Sequence, residues 1–126
     1  MSFKLIRSRQ WQDRPDAWII LNTGGATFNP AAVDMVGFDL TRCVVFYDKA
    51  KGLLAFTFFK GKLTGSYAFT EHPKSRRRVI RLRAFLKANN ILKTMKGPGF
   101  PLEVCKETIP DYEGSVIFVI NLNRSE

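Results

Sequence analysis

Apolar residues occur along this chain in short runs that are separated by polar turns. Runs of this kind, rich in β-branched and aromatic residues, predict strands rather than long helices. Within residues 79–82, Ile80 and Leu82 would share one face of a strand, with Arg81 on the other. The last run, residues 115–122, is almost continuously apolar, so we expect it to be buried on both faces. The predicted strands cover residues 3–9, 18–21, 26–28, 43–47, 53–59, 66–69, 79–82, 102–108 and 115–122.

Two short segments show helical signals instead. Asn29 is a good N-cap, Pro30 suits the first helical position, and Gly37 is placed to end the helix between them. The second helix is predicted from about residue 83 to residue 90. There apolar residues cover one side, while Arg83 and Lys87, four residues apart, share another.

The order of these elements occurs twice: a strand, a short helix, and then two strands in a hairpin. The first copy covers residues 26–59 and the second covers residues 79–122, and their hairpin loops, 48–52 and 110–114, correspond. We therefore predict one domain, residues 1–126, of the α+β class and mostly β. It would consist of two β-α-β-β half-units packed as a small barrel-like domain with two short helices. The alternative is a chance similarity, because hairpins and short helices are common.

This order resembles the swapped-hairpin family of DNA-binding proteins, the AbrB and MraZ type. The resemblance is carried by Phe28-Asn29-Pro30 and by residues 33–38 and 43–59, with a looser second copy. It implies a barrel made of two interlocked halves, a face that contacts DNA, and a role in transcription regulation. One chain would supply both halves and act as a pseudo-dimer. The family's half-units begin with basic residues, and the first copy lacks them. Only the second copy has them, in Arg81-Leu82-Arg83, so DNA binding would involve mainly the second half.

Positive charge is concentrated in one segment, residues 74–96. The chain has 20 basic and 11 acidic residues, a net charge of +9. Nine of the basic residues lie between Glu71 and Glu103, an interval without any acidic residue, so the rest of the chain has eleven of each sign. Five arginines within residues 76–83 repel one another unless an anion neutralises them, and nucleic acid is the commonest such anion.

We therefore predict a nucleic-acid-binding protein, with DNA favoured over RNA. Its contact residues would project from an exposed strand-and-helix edge, supported by the apolar hairpins. Alanine at residues 76–78 would then weaken binding and leave the fold intact. The predicted contact residues are Lys74, Arg76, Arg77, Arg78, Arg81, Arg83 and Lys87.

Other partners stay open at this point. A single strand of DNA or RNA would need aromatic rings as stacking platforms, and Phe56, Phe58, Tyr67 and Phe69 are candidates, although such rings more often belong to a core. An acidic protein, such as part of a larger nucleic-acid machine, could also bind the arginines, with Trp11 as an anchor. A membrane surface is a weaker candidate, because no long amphipathic helix continues the basic run. The chain could act as a monomeric pseudo-dimer or as a homodimer.

Groups that could carry catalysis are sparse. His72 is the only histidine, and Cys43 and Cys105 lack a Cys-x-x-Cys partner, so we expect neither a metal site nor a cofactor. The glycine pair at residues 24–25 lacks the Lys-Ser/Thr of a phosphate-binding loop, so nucleotide binding by that motif is not expected. We therefore expect a protein that is not an enzyme.

The same composition bears on the compartment. No apolar run approaches the roughly 20 residues of a membrane span, and the first ten residues lack the apolar segment of a signal peptide. The two cysteines lie in strand-like runs, where reduced, buried thiols are commoner than a disulfide. We expect a soluble, cytoplasmic protein.

Overall fold

Nine strands and three short helices are found in the computed structural model, which describes residues 15–37, 39–61, 64–71, 76–95 and 97–123. The predicted strand at residues 3–9 lies outside the described residues, as do Trp11, His72 and Lys74. The described elements are β1 (Trp18–Asn22), β2 (Gly25–Phe28), α1 (Pro30–Val36), β3 (Arg42–Asp48), β4 (Leu53–Phe59), β5 (Tyr67–Glu71), β6 (Arg78–Ile80), α2 (Arg83–Ala88), α3 (Ile91–Thr94), β7 (Gly99–Pro101), β8 (Glu103–Cys105) and β9 (Ile117–Asn121).

The described strands form a single antiparallel sheet in the order β7-β1-β2-β6-β5-β3-β4-β9-β8. Only Leu102 separates β7 from β8, so the two edges of the sheet come together and the sheet is nearly closed. The predicted class is thus confirmed: the domain is mostly β and barrel-like. The predicted number of helices was wrong, because α3 adds a third to the two that were expected.

The strands near the C-terminus also differ from the prediction. Instead of one strand over residues 102–108, the chain forms β7 against β1 and then β8 against β9. A Cβ at Gly99 would collide with the indole Nε1 of Trp18, so only glycine lets β7 lie this close to β1. At the last strand, Val116 is 59% exposed and β9 begins at Ile117, so the expected burial of residues 115–122 on both faces was wrong at the start of that run.

Helix α1 is capped as its sequence predicts. The side-chain oxygen of Asn29 accepts hydrogen bonds from the backbone N–H of Ala32 (2.9 Å) and of Trp18 (3.0 Å), and its side-chain nitrogen donates to the carbonyl of Asp16 (3.0 Å). Pro30 is the first helical residue and Gly37 follows the last. Through these hydrogen bonds, the fully buried amide of Asn29 connects the start of β1 to the start of α1.

The strand register relates the two halves of the sheet. Strands β2 and β6 pair about Thr27 and Val79, and strands β4 and β9 pair about Ala55 and Val119. A twofold axis through both pairs would exchange β2 with β6 and β4 with β9. It would place Phe28 over Ile80. Strands β1 and β5, which form hairpins with β2 and β6, belong to this arrangement as well. A common origin of the two halves stays a prediction.

Aromatic rings fill the centre of the barrel. Phe28 meets Phe56, Phe58 and Phe69 edge-on, with ring centroids 5.5, 5.6 and 4.9 Å away. Such edge-to-face pairs are worth about 1 kcal/mol each beyond the area they bury. This cluster forms the centre of the hydrophobic core.

Candidate nucleic-acid interface

The predicted contact residues lie on three consecutive parts of the chain. Arg76 and Arg77 precede β6, Arg78 is its first residue, and Arg81 follows it. Arg83 and Lys87 lie on α2. These positions have different surroundings, so the segment does not act as one uniform surface.

Arg78 is part of the core, and the expectation that it would be exposed was wrong. It is only 5% exposed, because Arg78 and Ile80 alternate toward the buried face of β6. One terminal guanidinium nitrogen donates to the carbonyl of Leu40 at 2.8 Å, and the other lies 3.4 Å from the carboxylate of Glu71. The guanidinium also sits 5.2 Å from the ring centroid of Phe69. Replacing Arg78 would therefore damage the fold, and it is withdrawn from the set of contact residues.

Arg76 has an acidic neighbour. Its guanidinium is 3.4 Å from the carboxylate of Asp34 on α1, and both side chains are mostly exposed, at 77% and 65%. An exposed pair of this kind contributes about 0–1 kcal/mol and exchanges readily for another anion. Arg77, which lies between Arg76 and Arg78 in the sequence, is half-buried. The arginine run before β6 thus leaves Arg76 as its most accessible cation.

Beyond β6, three cations form what we call the α2 cationic surface: Arg81, Arg83 and Lys87. All three are exposed. Among the residues that the structure describes, none of the three has an ion-pair partner. Arg76 lies apart from these three, at the other end of β6. The available positive charge is therefore concentrated around α2.

The two cations of α2 have opposing effects on the helix that carries them. Arg83 is its first residue, next to the positive end of the helix dipole, and the first turn contains no acidic residue. Lys87 lies in the last turn, where the dipole favours a cation, but it is four residues from Arg83, where two like charges repel by about 0.2–0.5 kcal/mol. The N-cap residue, Leu82, makes no side-chain capping bond. Burial of Leu82 and Leu86 therefore holds α2 in place.

A cleft of about 400 Å³ opens beside this surface, between α2, α3 and the turn from β1 to β2. Gly25 lets this turn lie close to the residues just before α2, because it has no side chain. A Cβ at this position would collide with the carbonyl of Ile80. The cleft adds Lys93, an exposed cation that the sequence interpretation left out of the contact set although it lies in the same basic segment. The lining residues are Thr23, Arg83, Leu86, Lys87, Asn90, Leu92 and Lys93.

The aromatic residues considered as stacking platforms belong to the core. Phe56 and Phe69 are 0% and 3% exposed. Phe58 and Tyr67 are half-buried and pack against the same core. Phe56 and Phe69 are therefore closed to unstacked bases, and Phe58 and Tyr67 are only partly accessible.

The two cysteines are free thiols, as expected, in different surroundings. Cys43 is fully buried, and burial raises the pKa of its thiol well above the ordinary range. Cys105 is half-buried in β8. Within the described ranges, no three His, Cys, Asp or Glu side chains come together as metal ligands would. Nor does that part of the chain contain a helix of the length and apolar character that a bilayer crossing requires.

Comparison with known proteins adds no evidence about function. No protein-family model, no curated protein and no solved structure matched the chain when it was compared with them. The resemblance to swapped-hairpin proteins therefore stays a prediction, and function has to be argued from the surface itself.

Proposed function

We propose that this chain is a non-enzymatic nucleic-acid-binding protein that holds duplex DNA by its phosphate backbone through the α2 cationic surface. The observation that carries the proposal is the state of Arg81, Arg83 and Lys87. They are exposed, they have no ion-pair partner among the described residues, and two of them, Arg83 and Lys87, repel each other four residues apart on α2. A bound polyanion would offset that repulsion.

Arg76 is a further exposed cation, at the other end of β6 from Arg81. Its ion pair with Asp34 is exposed, so a phosphate can replace the carboxylate at little cost. The resulting contacts, mostly to phosphates, would position the protein, and one or two arginines would reach base edges.

Duplex DNA is favoured over a single strand because the rigid surface offers cations without stacking platforms. Non-specific single-strand binders combine a cationic groove with accessible aromatic faces. Here the four candidate rings pack in or against the core, as described above. Transcription regulation, which the swapped-hairpin resemblance implies, would be one use of such DNA binding.

The proposal is tested by fluorescence anisotropy with labelled duplex DNA, single-stranded DNA and RNA at two salt concentrations. We expect salt-sensitive binding that is tightest for the duplex. A triple variant, Arg81→Ala with Arg83→Ala and Lys87→Ala, should lose most of this affinity.

A matched control removes the same charge elsewhere. Lys49, Lys51 and Lys106 are exposed and lie in the β3–β4 loop and just after β8, so their replacement by Ala should change binding little. Equal losses in the two triple variants would show that net charge alone is responsible. Failure of the wild-type protein to bind any of the three nucleic acids at low salt would overturn the proposal and favour an acidic protein partner.

A further inference from the structure

The cleft between α2, α3 and the β1–β2 turn has the dimensions of a small-ligand site. Its volume, about 400 Å³, falls within the usual range for such sites. The α2 cationic surface forms only one side of it, and its other residues take no part in the contacts proposed for duplex DNA. The cleft therefore needs its own explanation.

Its walls are held in place by the turn between α2 and α3. Asn90 has a left-handed backbone (φ 53°), which reverses the chain and brings α3 across from α2. The hydroxyl of Thr94 donates to the carbonyl of Asn90 at 3.1 Å, and the side-chain nitrogen of Asn89 donates to the carbonyl of Phe85 at 2.9 Å. These bonds brace the turn, so the cleft is a built feature of the fold.

The chemistry of the lining has two parts. Leu92, which is half-buried, supplies an accessible apolar wall, and the fully buried Leu86 lies beneath the cleft. Around it stand three cations, Arg83, Lys87 and Lys93, and the lining contains no carboxylate. The hydroxyl of Thr23 and the amide of Asn90 add neutral hydrogen-bonding groups. A complementary ligand has an apolar ring system at one end and more than one negative charge at the other.

We propose that this cleft binds a phosphorylated nucleoside, with the base against Leu92 and the phosphate among the three cations. A phosphate monoester carries a charge of about −1.5 to −2 at pH 7, whereas each phosphodiester within a strand carries one. Three cations around one cleft therefore suit a terminal phosphate better than an internal one. The bases inside a duplex are stacked and paired, so an internal nucleotide cannot present its base to the cleft.

Two sources share this chemistry: a free nucleotide and the 5′-phosphorylated end of a strand. This inference rests on the proposed function only because Arg83 and Lys87 belong both to the cleft and to the proposed DNA contacts. The residues that separate the two sites are Lys93, which lines the cleft, and Arg81, which does not.

The test uses isothermal titration of the full chain with AMP, adenosine and inorganic phosphate. AMP should bind at least about tenfold more tightly than either of its parts, because it uses both the apolar wall at Leu92 and the cations. Lys93→Ala should weaken AMP binding by about tenfold and leave anisotropy with a blunt duplex lacking 5′-phosphates nearly unchanged. Arg81→Ala should do the reverse. Thermal unfolding of both variants checks that the fold is intact.

The source is settled by competition with short overhang duplexes. Displacement of AMP at a lower concentration of the 5′-phosphorylated overhang than of its 5′-hydroxyl counterpart assigns the cleft to strand ends. Equal displacement, which the shared Arg83 and Lys87 produce with either duplex, assigns it to a free nucleotide. If AMP binds no better than inorganic phosphate, or if Lys93→Ala leaves its affinity unchanged, the inference is overturned. Duplex binding that persists in that case leaves the proposed function standing, and AMP binding without duplex binding leaves the cleft standing alone.

Discussion

Reversing one charge on α2 should make the protein more stable and a weaker DNA binder. In Arg83→Glu, a carboxylate replaces a guanidinium at the first helical residue, where the helix dipole favours negative charge by about 0.3–1 kcal/mol. The same change converts a repulsive pair with Lys87 into an attractive one, a difference of about 0.4–1 kcal/mol. Position 83 is exposed, so solvent screening favours the lower end of these ranges.

The net expectation is a gain of about 1 kcal/mol in the free energy of unfolding, measured by urea titration at low salt. For a chain of this size that corresponds to a rise of about 4 °C in Tm. Arg83→Gln, which removes the charge without reversing it, should give about half the gain. Duplex DNA affinity should fall by more than about tenfold in Arg83→Glu, because a phosphate contact is replaced by repulsion.

Opposite signs for stability and affinity would separate a binding residue from a structural one. A loss of stability in Arg83→Glu would show that the guanidinium supports the fold and that the electrostatics of α2 have been misjudged. A gain in stability with unchanged affinity for DNA would remove Arg83 from the contact surface.

Three further predictions concern residues below the surface. Arg78→Ala should lower the free energy of unfolding by about 3 kcal/mol, whereas Arg76→Ala should change it by less than about 0.5 kcal/mol in the same urea titration; equal effects would contradict the buried placement. Asn29→Ala should cost about 2 kcal/mol by the same measurement, since the amide caps α1 and also bonds to β1, and a loss below about 0.5 kcal/mol would refute that role. Burial raises the pKa of the Cys43 thiol, so the folded protein keeps a proton that the unfolded thiol loses above its ordinary pKa of 9.0. The free energy of unfolding should therefore fall as pH rises through 9.0. Between about pH 8 and about pH 10, wild type should lose about 1 kcal/mol more than Cys43→Ala, and parallel curves would refute the shift.

Elements set by neighbouring residues could be predicted from the sequence. Asn29, Pro30 and Gly37 mark the bounds of α1 because capping depends on residues at the ends of the helix itself. The β3–β4 hairpin follows from two apolar runs and a short polar loop between them. The alternation that put Leu82 and Ile80 inside and Arg81 outside is likewise local.

Features that depend on distant contacts could not be predicted in this way. The alternation of β6 places Arg78 on the buried face with Ile80, but the acceptor of its hydrogen bond, the carbonyl of Leu40, lies 38 residues away in sequence. Strand β7 forms where Gly99 allows the indole of Trp18 to approach. The cleft depends on the packing of the β1–β2 turn against α2, so neither Thr23 nor Lys93 could be recognised as part of a site from its own surroundings.

The salt dependence of duplex binding tests the central claim most directly. Each phosphate contact contributes a slope of about −0.9 to a plot of log K against log salt concentration. We predict that Ala at residues 81, 83 and 87 together makes the slope less steep by about three, whereas Ala at residues 49, 51 and 106 leaves it at the wild-type value. Equal slopes for wild type and both triple variants would contradict the assignment of the DNA contacts to the α2 cationic surface.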